Sequence, residues 1–289
     1  MNRNKILITG IGGPAGKSAA TYFTEKGFFV IGTDVREVNL KVDAFYLVPL
    51  AVEPSFSRAL VNIIAKERPC LFIPTVTEEL PTVSGLKKQI EQYNCALFIS
   101  PPEAVEIANN KLKTALFMEK NNIPIPTTFD GSTPRGRIIK ELGLPLLAKP
   151  CFGRGGRGVT LYKSAEEVCN EKRQGLIFQE FISGEEFDVN LFMDKQGKVL
   201  AAVALKKTVL KHGLVGNALE VERVLRDDVI ELSKKAAKLL EMEGPLDFDI
   251  RLRKDGTPVL LEINARLGGN VLYAREVLDC LMSSLTKGG

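Results

Sequence analysis

The first hundred residues alternate between short apolar runs and longer amphipathic segments. The runs "KILIT", "FFVIGT", "AFYLV", "CLFIP" and "CALFIS" are rich in branched and aromatic side chains, and segments such as "PSFSRALVNIIAKERP" separate them. Such runs predict buried strands, and the segments between them predict helices. Strands that alternate with helices form a parallel sheet, because a parallel neighbour is reached only through a crossover connection. The sequence therefore predicts an N-terminal α/β domain with helices on both faces of its sheet.

Two loops of this domain are expected on the same rim of the sheet. Ligands of parallel sheets bind at the carboxyl ends of the strands, where "GIGGPAG" and "PTVTEE" would lie. The stretch "GIGGPAGKS" lacks the glycine spacing of a phosphate-binding P-loop. Gly10, Gly12 and Ala15 do satisfy the dinucleotide pattern, with Asp34 further along the chain. An NAD(P)-dependent oxidoreductase is therefore kept as a less favoured alternative, beside a glycine turn that only reverses the chain.

Composition excludes several classes of protein. The 289 residues are 45% hydrophobic and 26% charged, with a net charge of +4 and scattered basic residues, which predicts two or three globular domains without a nucleic-acid partner. Five widely spaced cysteines without C-x-x-C spacing disfavour a disulfide framework and a zinc site, so a cytoplasmic location is expected. His212 is the single histidine, which excludes a multi-histidine metal centre. No apolar segment approaches the length of a membrane span, so no membrane partner is expected.

The C-terminal part contains a predicted hairpin, "GPLDFDIRLRKDGTPVLLEINARLGGN". Asp-Gly supports the tight two-residue turns that connect antiparallel strands. If Asp255 and Gly256 form the loop, three cross-strand pairs follow: Arg251 with Leu260, Asp249 with Glu262, and Asp247 with Asn264. Because side chains alternate along a strand, the four acidic and amide residues would share one face. Phe248, Ile250, Leu252, Leu261 and Ile263 would share the other face, which is expected to be core.

The polar face of this hairpin is unusual because carboxylates opposite one another in a sheet repel. A divalent cation would turn that repulsion into ligation, and oxygen ligands without histidine or thiolate favour Mg²⁺ or Mn²⁺. The alternative is a solvated sheet face on which Arg251 neutralises the acids. A slip of one residue in the register would send the acids to opposite faces.

A glycine-rich segment, "LLAKPCFGRGGRGV", follows a predicted strand. Lys149 lies near the end of this strand, and the next residues combine backbone flexibility with positive charge: Gly153, Arg154, Gly155, Gly156, Arg157 and Gly158. Glycines let backbone N–H groups approach a ligand closely, and arginines bind phosphate oxygens. The composition favours a cover over a polyphosphate, with an ordinary surface loop as the alternative.

Taken in order, these segments resemble the ATP-grasp superfamily over essentially the whole chain. The resemblance rests on the early Rossmann-like region, "NNKLKTALFMEKNNIPIP", "LLAKPCFGRGGRGV", "IFQEFISGEEFDV" and "LLEINARLGGN". It is greatest to carbamoyl-phosphate-synthase-like and other carboxylate–amine ligases. The chain departs from the synthase in lacking duplicated halves, so it is not expected to make carbamoyl phosphate alone.

The resemblance implies a role for each matching residue. Residues implied to contact ATP are Lys111, Lys149, Gly153, Arg154, Gly155, Gly156, Gln179, Glu180, Ile182, Glu186 and Lys207, although which of Lys206 and Lys207 points inward is left open. Residues implied to hold Mg²⁺ or Mn²⁺ are Asp249, Glu262 and Asn264. Arg266, together with Lys149, is implied to be catalytic by steadying the transferred phosphoryl group.

The resemblance also implies three domains and an activity. The domains are a Rossmann-like pre-ATP-grasp domain over 1–108, an N-terminal ATP-grasp subdomain with the glycine-rich lid over 109–180, and a C-terminal subdomain with the metal site over 181–289. The implied activity is ATP-dependent ligation of a small-molecule carboxylate to an amine through an acyl phosphate, releasing ADP and phosphate. A non-catalytic ATP-binding regulator is the alternative, a homodimer is left open, and acceptor specificity is expected in "PTVTEE" and "GGN".

Overall fold

The N-terminal part contains a parallel five-stranded sheet, as predicted. The computed structural model describes residues 4–153, 155–169, 174–211, 213, 216 and 218–286. The strand order is β3-β2-β1-β4-β5, and every neighbouring pair is parallel. The strands are β1 Lys5–Ile8, β2 Phe29–Asp34, β3 Ala44–Leu47, β4 Leu71–Ile73 and β5 Ala96–Leu97. This order matches the first five strands of the doubly wound dinucleotide-binding arrangement.

Helices cover both faces of this sheet. They are α1 Pro14–Glu25, α2 Ser55–Glu67, α3 Leu80–Gly85, α4 Lys87–Glu91 and α5 Pro102–Asn109, with a short 3-10 helix at Thr77–Glu79. Alternating residues of β1 enter different cores: Leu7 packs with α2, whereas Ile6 and Ile8 pack with α1. Burial on both faces explains why these strands are apolar throughout rather than alternating.

A small antiparallel sheet follows, with the order β6-β9-β7-β8. Its elements are α6 Lys111–Lys120, β6 Thr128–Asp130, α7 Arg135–Leu142, β7 Leu146–Pro150, β8 Thr160–Tyr162, α8 Ala165–Cys169 and β9 Leu176–Glu180. It has a separate core that includes Ile138, Leu146 and Phe178. Asn110 caps α6, because its side-chain oxygen accepts the backbone N–H groups of Leu112 and Lys113. The cap begins the helix at Lys111.

The C-terminal part is built on a larger antiparallel sheet with the order β12-β11-β10-β13-β14. Its elements are β10 Glu186–Met193, β11 Val199–Leu210, β12 Ala218–Val224, α9 Asp227–Leu239, β13 Gly244–Leu252, β14 Pro258–Asn264 and α10 Arg275–Thr286. Phe187 and Phe248 belong to the same core as Leu7 and Phe72 of the N-terminal sheet. The large sheet is therefore packed against the N-terminal domain, while the small sheet keeps its own core.

The predicted hairpin forms, but with a three-residue loop. Arg253 N–H donates to Thr257 O at 2.8 Å, so residues 254–256 form the loop, and Gly256 takes the positive φ of 87° that such loops require. The expected pair of Arg251 with Leu260 is therefore wrong, since Arg251 lies opposite Val259.

A register shift after Asp249 restores the remaining pairs. Leu261 has no cross-strand partner, so Asp249 again lies opposite Glu262, and Asp247 lies opposite Asn264, as predicted. Leu261 was expected in the core, but Leu260 is buried there at 2% exposure and Leu261 faces the pocket described below. The longer loop and the unpaired residue cancel, which keeps both acids on one face.

The segment "NVLYAREVLDCLM" does not form a single helix. A 3-10 helix at Val271–Tyr273 precedes α10, which begins only at Arg275. Ala274 separates them because its φ of −128° and ψ of 52° are not helical. No helix in the described part of the chain is long and apolar enough to cross a bilayer.

The junction between the two large sheets predicts a strong effect of one glycine. Gly244 has a φ of 86°, and a Cβ there would lie 2.6 Å from the backbone oxygen of Phe98 in the N-terminal domain. We expect Gly244→Ala to lower the free energy of unfolding by about 2 kcal/mol or more, through backbone strain and steric overlap. The midpoint of thermal unfolding measures this.

Gly85→Ala is the matched control. Gly85 ends α3, and a Cβ there would meet nothing within 4 Å. Its substitution should leave the unfolding midpoint unchanged or raise it. Equal midpoints for the two variants would contradict the close approach at Gly244.

Candidate active site

The predicted site residues meet in one pocket of about 420 Å³. It lies between the small sheet and the polar face of the large sheet, and the N-terminal glycine turn borders one end. The following predicted residues line it: Lys111, Lys149, Gly153, Gly155, Gly156, Gln179, Glu180, Ile182, Glu186, Lys207, Asp249, Glu262, Asn264 and Arg266. Arg154 lies outside the described residues. The structure brings these side chains together, while their individual roles stay predictions.

Glu186 is the centre of an ionic cluster at one side of the pocket. It accepts hydrogen bonds from Lys207 Nζ at 2.7 Å and from Arg251 Nε at 2.6 Å, and its side chain is only 10% exposed. Lys207 also donates to Asp249. Lys206 instead pairs with the exposed Glu185, so Lys207 is the lysine that points inward.

The field of these acids fixes the charge of Lys207. Burial by itself lowers the pKa of Lys207, but the negative charges of Asp249, Glu186 and Asp188 together raise it well above the ordinary value. Lys207 is therefore a permanent cation beside the predicted metal ligands.

Two further lysines reach the pocket from the small subdomain. Lys111 Nζ donates to the backbone oxygen of Gly153 at 2.7 Å and lies 3.4 Å from Glu262 Oε1. Lys111 thus connects the glycine-rich segment to the hairpin acids. Lys149 is buried at 7% exposure, and burial lowers its pKa to about 8 despite the opposing charge of Glu262.

Arg266 connects the hairpin to the N-terminal domain. Its Nε donates to Thr77 Oγ1 at 3.0 Å, Nη2 donates to Asn264 Oδ1 at 3.0 Å, and Nη1 donates to Leu267 O at 2.6 Å. Fixed acceptors on three sides hold the guanidinium in one orientation, with its side chain 11% exposed. Thr77 lies in "PTVTEE", the segment expected to set acceptor specificity, but its contact with Arg266 was not predicted.

The loop that carries Thr77 is itself held by Glu79. The Glu79 carboxylate accepts the backbone N–H groups of Thr75 and Val76, each at 3.0 Å, and the hydroxyl of Thr9. Glu79 is 2% exposed. The sequence placed "PTVTEE" on the rim beside the first glycine loop, and the structure confirms this position because Gly10 and Thr75 both line the pocket.

The connection after β9 forms the wall where adenine binding is predicted. Gln179 donates its amide to Thr128 Oγ1 at 2.9 Å, and the backbone oxygen of Ile182 accepts from Arg251 at 2.8 Å. The hydrogen bonds from Arg253 hold the pKa of Glu180 below its usual value. The Glu180 side chain is therefore paired within the protein, which leaves its backbone as the part available to a ligand.

The chemistry of the hairpin acids fits a magnesium ion. Asp249 and Glu262 lie directly opposite each other, and their side chains stay 23% and 21% exposed towards the pocket. The described residues contain no cluster of three or more histidine, cysteine or acidic side chains arranged for a metal. Two carboxylates and the amide of Asn264 are nevertheless the sparse oxygen set that Mg²⁺ accepts when phosphate oxygens complete its shell.

Sequence reasoning found Glu186 on β10 but missed two further polar residues of this strand. Asp188 and Asn190 lie on the same face as Glu186, and they pair with Asp249 and Asp247 of β13. Both are almost completely buried, at 3% and 1% exposure. The segment "EFDVNLF" alternates polar and apolar residues, so its period of two contained the signal.

Asp247 is also buried beside these residues. Burial, followed by the charge of Asp188 and a hydrogen bond to it, raises the pKa of Asp247 well above the usual value.

The glycine turn is used for packing in the described structure. Gly12 N–H donates to Asp34 Oδ2 at 2.9 Å, and Ser18 Oγ donates to the backbone oxygen of Gly269 at 3.2 Å. The segment after β14 therefore rests on this turn. Asp34, the residue that a dinucleotide site would use for ribose, is bonded to the turn itself.

Comparison with known proteins defines the class of protein. A family model described as the ATP-grasp domain matches residues 108–270, which is more than half of the chain. The chain therefore belongs to the ATP-grasp domain family. The match includes every predicted ATP, metal and catalytic residue, from Lys111 to Arg266.

Individual relatives are more distant. The carbamoyl phosphate synthase large chain of Methanothermobacter thermautotrophicus is 22% identical over 94% of this chain, which spans only 29% of that relative. The tyramine–L-glutamate ligase of Methanocaldococcus jannaschii is 25% identical over 83% of this chain and 70% of its own length. The crystal structure of Campylobacter jejuni biotin carboxylase superposes with a TM-score of 0.76 at 16% identity, covering 98% of this chain and 71% of that one. This last likeness shows the fold.

Glu186 should be required for stability as well as for the shape of the site. We expect Glu186→Gln to lower the free energy of unfolding by about 3 kcal/mol, because it removes the counter-charge of two buried cations. Glu185→Gln is the matched control, since its ion pair with Lys206 is solvent-exposed and should contribute less than about 1 kcal/mol. Urea unfolding of the nucleotide-free protein measures both, and equal losses would contradict the cluster.

Proposed function

We propose that this protein is an ATP-dependent carboxylate–amine ligase that acts through an acyl phosphate. A substrate carboxylate attacks the γ-phosphorus of ATP, the bond to the bridging oxygen breaks, and ADP leaves. The amine then attacks the acyl carbon, and phosphate leaves as the C–N bond forms. Membership of the ATP-grasp domain family supports this proposal, as does a relative named for ligating tyramine to L-glutamate.

One observation carries the proposal: three lysines face two opposed carboxylates within a single pocket. Lys111, Lys149 and Lys207 come from three different elements and surround the pair Asp249–Glu262. A pocket for a neutral ligand would not need this separation of charges. Phosphoryl transfer depends mainly on positioning and on neutralising phosphate oxygens, which these groups are suited to do.

The proposed role of each residue follows from its position in the pocket. We assign phosphate contacts to the three lysines and to backbone N–H groups of Gly153, Gly155 and Gly156. Gln179 and the backbone of Glu180 and Ile182 are assigned to adenine, and Glu186 to ribose. Arg266 is assigned to the transferred phosphoryl group, because Thr77 and Asn264 already hold its guanidinium rigid.

Asp249, Glu262 and Asn264 are the residues that would hold magnesium. The metal would supply neutralisation of phosphate charge. In its absence Lys207 and Lys111 compensate the two carboxylates. The division into domains at 108 and 180, the cytoplasmic location and the homodimer stay predictions.

Release of ADP tests the proposed reaction. Purified protein with MgATP is assayed against panels of carboxylic acids and amines, and we expect ADP release that requires an acid and amide formation that requires both substrates. Glu262→Gln should reduce turnover by about 100-fold or more while leaving the unfolding midpoint unchanged, because it removes a metal ligand and also relieves carboxylate repulsion.

Glu222→Gln is the matched control, since Glu222 lies on β12, is exposed and does not line the pocket. Full activity in Glu262→Gln would overturn the metal assignment. ATP binding without turnover of any acid would favour the non-catalytic regulator.

Lys149 predicts a specific pH dependence of ATP binding. Its pKa is about 8 in the free protein, and an adjacent phosphate would raise it in the complex. The contribution of Lys149 to affinity is therefore complete below pH 8 and is lost as the pH rises towards the pKa of the complex. We expect affinity to fall by up to about tenfold per pH unit in that window.

Calorimetric titration with MgATP between pH 7 and pH 10 measures this dependence. Lys149→Met should bind more weakly at pH 7 and show a smaller slope above pH 8, so the difference between the two profiles isolates Lys149. Identical slopes would refute the assignment of Lys149 to phosphate.

A further inference from the structure

The side chain of Gln179 lies in the middle of one row across the small sheet. Thr128 of β6 is paired with Gln179 on one side, and Leu147 of β7 is paired with it on the other. Because directly paired residues point to the same face of a sheet, the three side chains form a row on the pocket face. Gln179 and Leu147 line the pocket, whereas Thr128 lies behind Gln179 and does not line it. The proposed function assigns no role to Thr128.

Two hydrogen bonds fix the orientation of the Gln179 carboxamide. The Thr128 hydroxyl donates to the backbone oxygen of Pro126 at 2.8 Å, and Gln179 Nε2 donates to Thr128 Oγ1 at 2.9 Å. A carbonyl oxygen only accepts and a hydroxyl has a single proton, so Pro126 uses that proton. Thr128 Oγ1 can therefore only accept from Gln179. Turning the carboxamide over would bring two oxygens into contact without a proton between them.

The fixed orientation leaves the carboxamide oxygen for the pocket. Gln179 is only 3% exposed, and its Oε1 accepts no hydrogen bond from the described residues. Oε1 is nevertheless not fully buried, so it is accessible from the pocket that Gln179 lines. Because polar groups in such surroundings are almost always hydrogen-bonded, this oxygen favours a ligand that supplies a donor.

An accepting oxygen distinguishes purine bases by the group at their 6-position. Adenine has an amino group there, which donates, whereas guanine and hypoxanthine have a carbonyl oxygen, which only accepts. Gln179 Oε1 would bond the amino group and would repel the carbonyl oxygen. A site that hydrogen-bonds one polar group rejects an analogue without that group much more strongly than apolar packing can.

We infer that Thr128 determines the base selectivity of the nucleotide site, because it holds the Gln179 carboxamide with its oxygen towards the base. Thr128 is a positioning residue, since it acts through Gln179 and does not line the pocket. The inference rests on the proposed function, which assigns Gln179 to the base. The site takes a 6-aminopurine nucleotide and discriminates against a 6-oxopurine nucleotide.

The ratio of the affinities for MgATP and for the magnesium complex of inosine triphosphate (ITP) tests this inference. Calorimetric titration of the full chain, without acid or amine, measures both affinities. We expect the wild type to bind ATP at least about tenfold more tightly than ITP. Thr128→Val keeps the shape but removes the hydroxyl, so the carboxamide can turn over and offer its N–H group to the 6-carbonyl. In this variant the affinity for ATP should fall, that for ITP should not fall, and the ratio should decrease by about tenfold.

Three further variants isolate the hydroxyl. Thr128→Ser keeps both hydrogen bonds and should retain the ratio of the wild type. Thr160→Val is the matched control, because Thr160 is an exposed residue of β8 in the same sheet and does not line the pocket. Gln179→Met removes the carboxamide and should lower the ratio by itself. Adding Thr128→Val to Gln179→Met should change the ratio no further, because Thr128 acts only through Gln179.

Thermal unfolding checks that each variant is folded. If Thr128→Val does not fold, Thr128→Ala removes the same hydroxyl and decides by the same ratio. An equal loss of affinity for ATP and ITP would indicate a merely structural role and overturn the inference, as would a wild-type ratio near one.

The outcomes for base selectivity and for ligation are separate. Selective ATP binding that Thr128→Val relaxes, without turnover of any acid, would support the inference and refute the ligase. Amide formation by a protein whose selectivity Thr128→Val leaves unchanged would do the reverse. A protein that binds neither nucleotide would overturn both.

Discussion

The structure of the site depends on the opposition of Asp249 and Glu262 across the β13–β14 hairpin. Two carboxylates at adjacent positions of a sheet repel, so the pair persists only where positive charge compensates it. Lys207 and Lys111 supply that charge from β11 and α6. The same charges stabilise the metal-free protein, and in the proposed function they would bind the phosphates and the metal. Stability and the proposed function thus share one set of charges.

The N-terminal domain takes part in the site through Thr77, which contacts Arg266, and through its glycine turn, which borders the pocket. Thr77 holds the guanidinium, and Glu79 holds the loop of Thr77 through three hydrogen bonds. A parallel sheet offers a ligand-binding rim, and here the rim is occupied by the C-terminal part of the same chain. Hydrophobic packing of Phe187 and Phe248 in the same core as Leu7 and Phe72 stabilises this contact. The small subdomain, with a core of its own, contributes Lys111, Lys149 and the glycine-rich segment.

Much of this could be predicted because it follows from local periodicity. The period of two along β13 and β14 assigned Asp249 and Glu262 to one face, and the alternation of strands and helices gave the parallel sheet. The predicted length of the hairpin loop was wrong, because Asp-Gly is compatible with loops of two or three residues. The acid pair survived only because the unpaired Leu261 compensated for the extra residue. Neither of these compensating details is encoded in a short stretch of sequence.

The sequence by itself determined which residue types stand at which spacing. That spacing was enough to predict the strands, the acidic face, the glycine-rich segment and the family. Only the tertiary structure decided that Lys207 and not Lys206 points inward, that Thr77 holds Arg266, and that β10 extends the polar face to Asn190. The physical reason is that these contacts join residues far apart in the chain. Pairing of strands and packing of domains set them, and a pattern within one strand contains no information about its neighbour.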